Sequence, residues 1–153
     1  MTGAQSISWG ELLRSSAIEL GSEQEARWLC QHASGLDRGE FDSARDEIVS
    51  ERCGVTLREM VARRLTGEPL QYVMKSWSFR HLDVLVDSRV LIPRPETEEL
   101  VYLINVEVEL NRDAMVLDVC CGSGCIPIAL AKLAQLNQVH ACDISLDALA
   151  VAK

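Results

Sequence analysis

A short turn with two glycines is the segment of this sequence best suited to bind a ligand. The residues Cys121-Gly122-Ser123-Gly124 lie between an apolar run at 115–119 and a second apolar run at 126–136. Glycine permits the backbone torsions of a tight turn and lets a ligand approach the main chain closely. The free N–H groups at the start of a helix favour a negatively charged group. The pattern therefore predicts a strand, a ligand-binding turn and a helix.

A carboxylate follows the next predicted strand. The strand is predicted over 138–144, and Asp143 lies at its end. Ligands of open α/β sheets bind beyond the carboxyl ends of the strands, where both the turn and this acid are expected. A carboxylate in that position accepts hydrogen bonds from the two hydroxyls of a ribose. Together the turn and the acid predict a cofactor that contains a nucleoside.

The spacing within the turn distinguishes between two kinds of cofactor. A dinucleotide fingerprint requires glycine or alanine where Pro127 stands, so a dinucleotide-dependent oxidoreductase is disfavoured. The stretch Asp118 to Gly124 instead resembles the D-x-G-x-G-x-G loop of class I S-adenosylmethionine-dependent methyltransferases. Cys120 replaces the first glycine of that loop, and we expect this small residue to hold a strand-like backbone.

The loop resemblance implies S-adenosyl-L-methionine as the cofactor, and it assigns the residues that would bind it. They are Asp118, Cys120, Cys121, Gly122, Ser123, Gly124 and Asp143. The alternative is that these residues form only a tight turn, in which Asp118 is a strand-end acid.

The segment before the turn divides into a helical part and a strand-rich part. Three capping-box patterns predict helix starts at Ser8, Ser22 and Thr56, and Gly21, Gly35 and Gly67 lie where helices would end. A further helix is predicted over Phe41–Glu51. Alternating apolar residues over 72–92 predict a β-hairpin that turns at Asp87-Ser88-Arg89, followed by a helix over 96–109.

The fold class is therefore α/β, with a helical bundle first and a βαβ start last. Ser145 is expected to cap a final helix that begins at Leu146. Parallel sheets are covered on both faces, and two strands with one crossover cannot form such a sheet. We therefore expect the 153 residues to be part of a longer α/β protein.

Two stretches upstream resemble a particular methyltransferase family. Residues 63–73 (RRLTGEPLQYV) and 90–98 (VLIPRPETE) resemble the release-factor glutamine N5-methyltransferases, the HemK/PrmC family. The resemblance implies a helical substrate-recognition domain at 1–73 and a β-hairpin connector at 74–95. It further implies an incomplete class I, Rossmann-like methyltransferase domain at 96–153. Lys75 stands where the family usually has glycine.

The same resemblance implies an activity and a partner. Members of the family methylate the glutamine of the Gly-Gly-Gln motif in class I peptide-chain release factors, which act in translation termination in the cytoplasm. Arg94 and Thr97 would line the pocket for cofactor and substrate, or else serve as a surface arginine and an N-cap threonine. The family's Asn-Pro-Pro-Tyr motif does not occur in these residues. No catalytic residue is therefore assigned, and we expect the chain by itself to be inactive.

Two further functions remain open alongside this one. The chain could belong to a methyltransferase that acts on another protein, or it could serve as a non-catalytic interaction module. A formal net charge of −8 argues against direct binding of nucleic acid. The sequence also has no apolar run long enough to span a membrane and no export signal, which favours a cytoplasmic protein.

The six cysteines allow two interpretations. In a cytosolic protein we expect them to be reduced thiols that pack as small apolar residues. The alternative is a metal site formed by Cys120, Cys121, His140 and Cys142, although no C-x-x-C pair supports it.

Overall fold

A computed structural model describes residues 7–108 and 110–153. The chain forms two compact units, with the boundary between Met74 and Lys75. Within the described ranges, no helix is long and apolar enough to cross a membrane.

Five helices form the described part of the first unit, residues 7–74. They are α1 (Trp9–Leu20), α2 (Glu23–Ser34), α3 (Arg38–Ser43), α4 (Glu51–Leu65) and α5 (Leu70–Met74). The side chains of Leu29, Phe41 and Leu57 are fully buried between them. The rings of Trp9 and Phe41 pack edge to face, with 5.7 Å between their centroids. This apolar centre holds the short helices together, since helices of this length are marginal alone.

The predicted ends of α1 and α2 are confirmed. Ser8 and Glu11 form a capping box, in which the Ser8 hydroxyl accepts from the Glu11 N–H and the Glu11 carboxylate accepts from the Ser8 N–H. The Ser22 hydroxyl accepts from the Glu25 N–H at the start of α2. Gly21 and Gly35 end the two helices in the left-handed conformation.

Two predicted helix boundaries in this unit are wrong. The helix predicted over Phe41–Glu51 is replaced by the short α3, which starts from a capping box of Asp37 and Glu40. Helix α4 begins at Glu51 with Ser50 as its cap, so Thr56 lies inside the helix. Ser50 caps the helix in place of Thr56, because the earlier start lets the buried face of α4 include Gly54 together with Leu57.

The second unit begins with the predicted hairpin, but the chain turns at a different place. Strands β1 (Ser76–Phe79) and β2 (Leu82–Leu85) pair antiparallel, and Phe79 pairs with Leu82. Arg80 and His81 therefore form the loop, and Arg80 has φ +55°. The Asp87 carbonyl accepts from the Val90 N–H at 3.1 Å, so the predicted turn forms only after β2.

A helix and a βαβ segment complete this unit. The elements are α6 (Pro95–Glu107), β3 (Met115–Val119), α7 (Cys125–Leu133), β4 (Gln138–Cys142) and α8 (Leu146–Ala152). Strands β3 and β4 are parallel neighbours, as predicted. The Ser145 hydroxyl accepts from the Ala148 N–H and so caps α8. Glu109, where α6 was expected to end, lies outside the described residues.

Helix α7 is shorter than predicted. It ends at Leu133 with Ala134 as its C-cap, and Gln135 then takes a left-handed φ of +50°. The apolar pattern continues to Leu136, which is why the sequence predicts a longer helix. Glutamine at position 135 does not indicate a residue in the left-handed conformation that ends a helix.

Candidate functional site

The pairing of β3 with β4 fixes where the glycine-containing loop lies. Val119 at the end of β3 pairs with Cys142 at the end of β4. Beyond this pair, the N–H groups of Cys120 and Cys121 both donate to the Cys142 carbonyl oxygen, at 2.8 and 3.0 Å. These two hydrogen bonds therefore hold the loop that follows β3 against the carboxyl end of the neighbouring strand.

Asp143 links this loop to the start of α8. Its Oδ2 accepts from the Gly122 N–H at 2.9 Å, and its Oδ1 accepts from the Ser145 N–H at 2.9 Å. The amides of Ser145 and Gly122 favour the ionised form and lower the pKa of the Asp143 carboxyl. Each carboxylate oxygen has a second lone pair, so Asp143 can hold the loop and still accept from a ligand.

The two loop glycines have different surroundings. Gly122 has φ +54°, and a β-carbon built there would meet no atom within 4 Å. Gly124 has φ +78°, and a β-carbon there would lie 3.1 Å from Ala152 Cβ and 3.3 Å from Ile128 Cδ1. Gly122 thus faces open space that a ligand can fill, whereas Gly124 lets α7 and α8 pack closely.

The backbone at Cys120 differs from the expectation. Cys120 has φ +68°, which is the left-handed conformation that a β-carbon disfavours, and the expected strand-like backbone is wrong. Lys75, where the resembling family usually has glycine, has φ +58°. At both positions the chain keeps the torsion that suits glycine while it carries a larger residue.

We expect Cys120→Gly to stabilise the second unit by about 0.5–1 kcal/mol. A left-handed residue with a β-carbon costs about 1–2 kcal/mol, and the extra freedom of an unfolded glycine offsets about half of the gain. Denaturant unfolding measures the difference. Cys120→Ala is the matched control, because it removes the thiol and keeps the β-carbon; an equal gain in that variant would contradict the backbone explanation.

Asp118 supplies an acceptor without a partner. Its Oδ2 is buried, and no donor among residues 7–108 and 110–153 reaches it. Burial, followed by the charge of Asp143, raises the pKa of the Asp118 carboxyl. A ligand with a donor group would satisfy this oxygen, and the open face of Gly122 leaves room for such a ligand. These two observations fit a bound cofactor at the loop.

The raised pKa of Asp118 makes a testable contribution to stability. The folded state binds this proton more tightly than the unfolded state, so stability should fall as the pH rises from the ordinary aspartate pKa through the raised one. We expect Asp118→Asn to abolish that fall and to raise the melting temperature at neutral pH. Thermal unfolding from pH 3 to pH 8 tests this, and an unchanged pH dependence would exclude Asp118 as its source.

Several predicted site residues have buried side chains. Cys121 is 6% and Ser123 5% exposed. Burial also raises the pKa of the Cys121 and Cys125 thiols. Cys121 and Ser123 can therefore serve a ligand mainly through their main-chain groups.

The structure does not support the metal alternative. All six cysteines have free thiols. In the part of the chain that the structure describes, no group of three or more histidine, cysteine, aspartate or glutamate side chains is arranged to hold a metal ion.

Arg94 and Thr97 lie at the start of α6. Arg94 is the N-cap residue of that helix, and its carbonyl accepts from the Thr97 N–H at 3.0 Å. Thr97 is thus the third helical residue, and the alternative of an N-cap threonine is wrong. Arg94 is exposed and forms no ion pair with residues 7–108 or 110–153.

Sequence reasoning missed the groups that shape the loop through the main chain. Three contacts depend on the register of β3 with β4. They are the hydrogen bonds to the Cys142 carbonyl, the hydrogen bond from the Ser145 N–H and the close packing of Ala152 against Gly124. The sequence offers only one signal for these contacts, namely that one apolar run precedes the turn and another follows it.

The parallel strands β3 and β4 are joined through a glycine-containing loop and α7, and Asp143 follows β4. This arrangement defines the start of a Rossmann-like α/β domain. Comparison with known families agrees, since residues 97–153 match the methyltransferase small domain. Residues 8–74 match the PrmC N-terminal domain. The chain thus contains a PrmC N-terminal domain followed by a match to the methyltransferase small domain.

Curated relatives carry the name release factor glutamine methyltransferase. The protein of Clostridium acetobutylicum is 45% identical over 130 residues, which are 85% of this chain and 46% of the relative. The protein of Rhodopirellula baltica is 39% identical over 87% of this chain and 47% of its own length. The Lactococcus lactis protein is 37% identical over 94% and 53%, respectively. The chain thus spans about half the length of the curated relatives it matches.

Proposed function

We propose that this chain supplies the substrate-recognition domain and cofactor loop of an S-adenosylmethionine-dependent protein methyltransferase. The reaction would be N5-methylation of the glutamine in the Gly-Gly-Gln motif of class I peptide-chain release factors. The observation that carries the proposal concerns the loop after β3. Asp143 accepts a hydrogen bond from the Gly122 N–H of this loop, and its carboxylate keeps further lone pairs for a ligand. The names of the curated relatives support the choice of substrate.

Groups on the described residues would bind part of the cofactor. Asp143 would accept from the ribose hydroxyls, and Asp118 would accept from a donor of the bound molecule or from a water beside it. The open side of Gly122 would let the cofactor approach the main chain, and Cys120, Cys121, Ser123 and Gly124 would complete the loop around it. The cofactor would supply a methyl group activated by the sulfonium charge.

Positioning would provide much of the catalysis. The nitrogen of an amide is a poor nucleophile because its lone pair is shared with the carbonyl, so the glutamine must be held in line with the methyl group. Orientation of two reactants supplies about 7–11 kcal/mol in favourable cases. We place Arg94 and Thr97 near the pocket, and we expect the glutamine itself to be held by an Asn-Pro-Pro-Tyr motif that these residues do not include.

We assign the parts of the chain as follows. Residues 1–73 would recognise the release factor, 74–95 would connect the domains, and 96–153 would form the beginning of the catalytic domain. A protein that modifies release factors would work in the cytoplasm, where translation ends. The assignment involves no direct contact with nucleic acid or membrane.

Two measurements test the proposal. Isothermal titration of this chain with S-adenosylmethionine should show binding at one site. Transfer of radiolabelled methyl should then be assayed with the chain extended to the length of its relatives, on a release factor and on its Gly-Gly-Ala variant. Labelling of the first protein alone is expected. Equal labelling of the variant, or labelling only of other proteins, would contradict the substrate assignment.

A further inference from the structure

Two of the six cysteines are exposed, and both lie beside the candidate cofactor loop. All six belong to the described ranges, and the exposed ones are Cys120 and Cys142. Cys120 begins the loop that follows β3, and Cys142 is the last residue of β4. An accessible thiol can meet an oxidant, whereas structural cysteines in buried apolar surroundings are inert. Cys120 and Cys142 are therefore the cysteines best placed to react.

The main chain holds these two residues close together. The Cys120 N–H donates to the Cys142 carbonyl oxygen at 2.8 Å. With standard backbone dimensions, this contact leaves the two Cα atoms at most about 6.7 Å apart. Disulfides join cysteines whose Cα atoms are about 4.4–6.8 Å apart. The separation of Cys120 from Cys142 therefore does not exceed the range that a disulfide can bridge.

The backbone torsions place both side chains on the same open face of the strand pair. Val119 and Cys142 are partners in the register, so their side chains point to one face, where Val119 is 65% exposed. The next residue of a regular strand would point to the opposite face. Cys120 instead has φ +68°, about half a turn from the φ of a strand. This rotation about the N–Cα bond brings its β-carbon back to the face of Cys142.

Cys121 is the competing partner for Cys142 and is less suited to react. Its N–H also donates to the Cys142 carbonyl oxygen, at 3.0 Å. Its side chain is only 6% exposed, however, and burial raises the pKa of its thiol. The thiolate is the reactive form, so a buried thiol with a raised pKa reacts slowly. Cys120 is therefore the residue expected to bond to Cys142.

We propose that Cys120 and Cys142 form a reversible disulfide that weakens cofactor binding when the protein is exposed to a peroxide. One thiolate attacks hydrogen peroxide, whose O–O bond breaks to give a sulfenic acid and hydroxide. The second thiolate attacks the sulfenic sulfur and displaces another hydroxide as the S–S bond forms. Two electrons pass from the sulfurs to the peroxide, and the two thiol protons leave with the hydroxides as water. A thiol reductant reverses the reaction by exchange.

The disulfide would act on the residues that shape the proposed ribose site. Cys142 directly precedes Asp143, and Cys120 lies two residues before Gly122, whose N–H donates to Asp143 Oδ2 at 2.9 Å. A disulfide holds the two β-carbons about 3.5–4.5 Å apart. We expect this constraint to displace Asp143 from the position in which it accepts from a ligand. The effect on affinity rests on the proposed function, whereas formation of the disulfide does not.

A peptide map tests whether the disulfide forms. The 153-residue chain is treated with one equivalent of hydrogen peroxide, alkylated and digested with trypsin, which separates residues 113–132 from 133–153. These two peptides should be found linked, and dithiothreitol should separate them. Cys120→Ser should abolish the link, whereas Cys121→Ser, the matched control at the adjacent residue, should retain it. Circular dichroism establishes that both variants are folded.

Isothermal titration with S-adenosylmethionine tests the effect on the cofactor site. The oxidised chain should bind about tenfold more weakly than the reduced chain, which is the scale of one lost hydrogen bond to a carboxylate. Dithiothreitol should restore the affinity. In Cys142→Ser, peroxide should leave the affinity unchanged because Cys120 has lost its partner. Cys53→Ser alters a partly buried cysteine of the first unit and should respond to peroxide as the unaltered chain does.

Three results would overturn the proposal. Absence of the linked peptides after oxidation would show that the two thiols do not meet. A link that persists in Cys120→Ser and disappears in Cys121→Ser would assign the bond to the other cysteine. Equal affinity of the oxidised and reduced chains would remove the regulatory role. A reduced chain that does not bind S-adenosylmethionine would contradict the proposed function and the regulation with it, while the peptide map would still decide whether the disulfide forms.

Discussion

Asp143→Ala is expected to weaken binding of S-adenosylmethionine about tenfold or more and to lower the melting temperature of the second unit. Two effects combine, because the variant loses the proposed acceptor for the ribose and also leaves the Gly122 and Ser145 amides without their carboxylate partner. Isothermal titration measures the affinity, and thermal unfolding without cofactor measures the loss of internal hydrogen bonds.

Asp143→Asn separates the two effects. The amide keeps one acceptor oxygen, so one of the two internal hydrogen bonds can persist, while the charge is lost. We expect an intermediate melting temperature together with clearly reduced affinity. If both variants bound S-adenosylmethionine as tightly as the unaltered chain, Asp143 would have no place in the cofactor site.

Gly124→Ala is expected to destabilise the second unit by about 1.5–4 kcal/mol. The left-handed torsion costs about 0.5–1 kcal/mol net of the lower freedom of the unfolded alanine, and overpacking typically costs about 1–3 kcal/mol. The overpacking arises because the new β-carbon would lie 3.1 Å from Ala152 Cβ. Chemical denaturation followed by circular dichroism measures the change in the free energy of unfolding.

Gly122→Ala provides the matched comparison. It has the same kind of torsion but open space around the new β-carbon, so the loss of stability should be about 0.5–1 kcal/mol once the lower freedom of the unfolded alanine is included. Its affinity for S-adenosylmethionine should fall more, since the methyl group enters the space left for the ligand. Equal losses of stability in the two variants would contradict the distinct roles assigned to the two glycines.

Much of the site could be predicted because the signals are local. The apolar runs around the turn predict β3, α7 and β4, and the loop pattern places the glycines between them. The Ser145 cap follows from one hydroxyl before an apolar run. The prediction of Asp143 as a ligand group depends on a rule about strand ends and stays a prediction.

Other features could not be predicted because tertiary packing decides them. Four residues other than glycine have left-handed torsions, and their residue types do not predict such a torsion. They are Lys75, Arg80, Cys120 and Gln135. The hairpin therefore turns at Arg80-His81, and not at the more turn-like Asp87-Ser88-Arg89. Similarly, Thr56 has the pattern of a helix cap, but Ser50 caps α4 because the buried face extends further back.

The double hydrogen bond at the Cys142 carbonyl bears on how such proteins diverge. The loop owes its course to main-chain atoms that every residue except proline possesses, so the side chain at position 120 can change without abolishing the bend. A cysteine at this position is then tolerated at a modest cost in stability. A genome search that demands three invariant glycines would overlook chains like this one, whereas a search on backbone torsions and strand register would retain them.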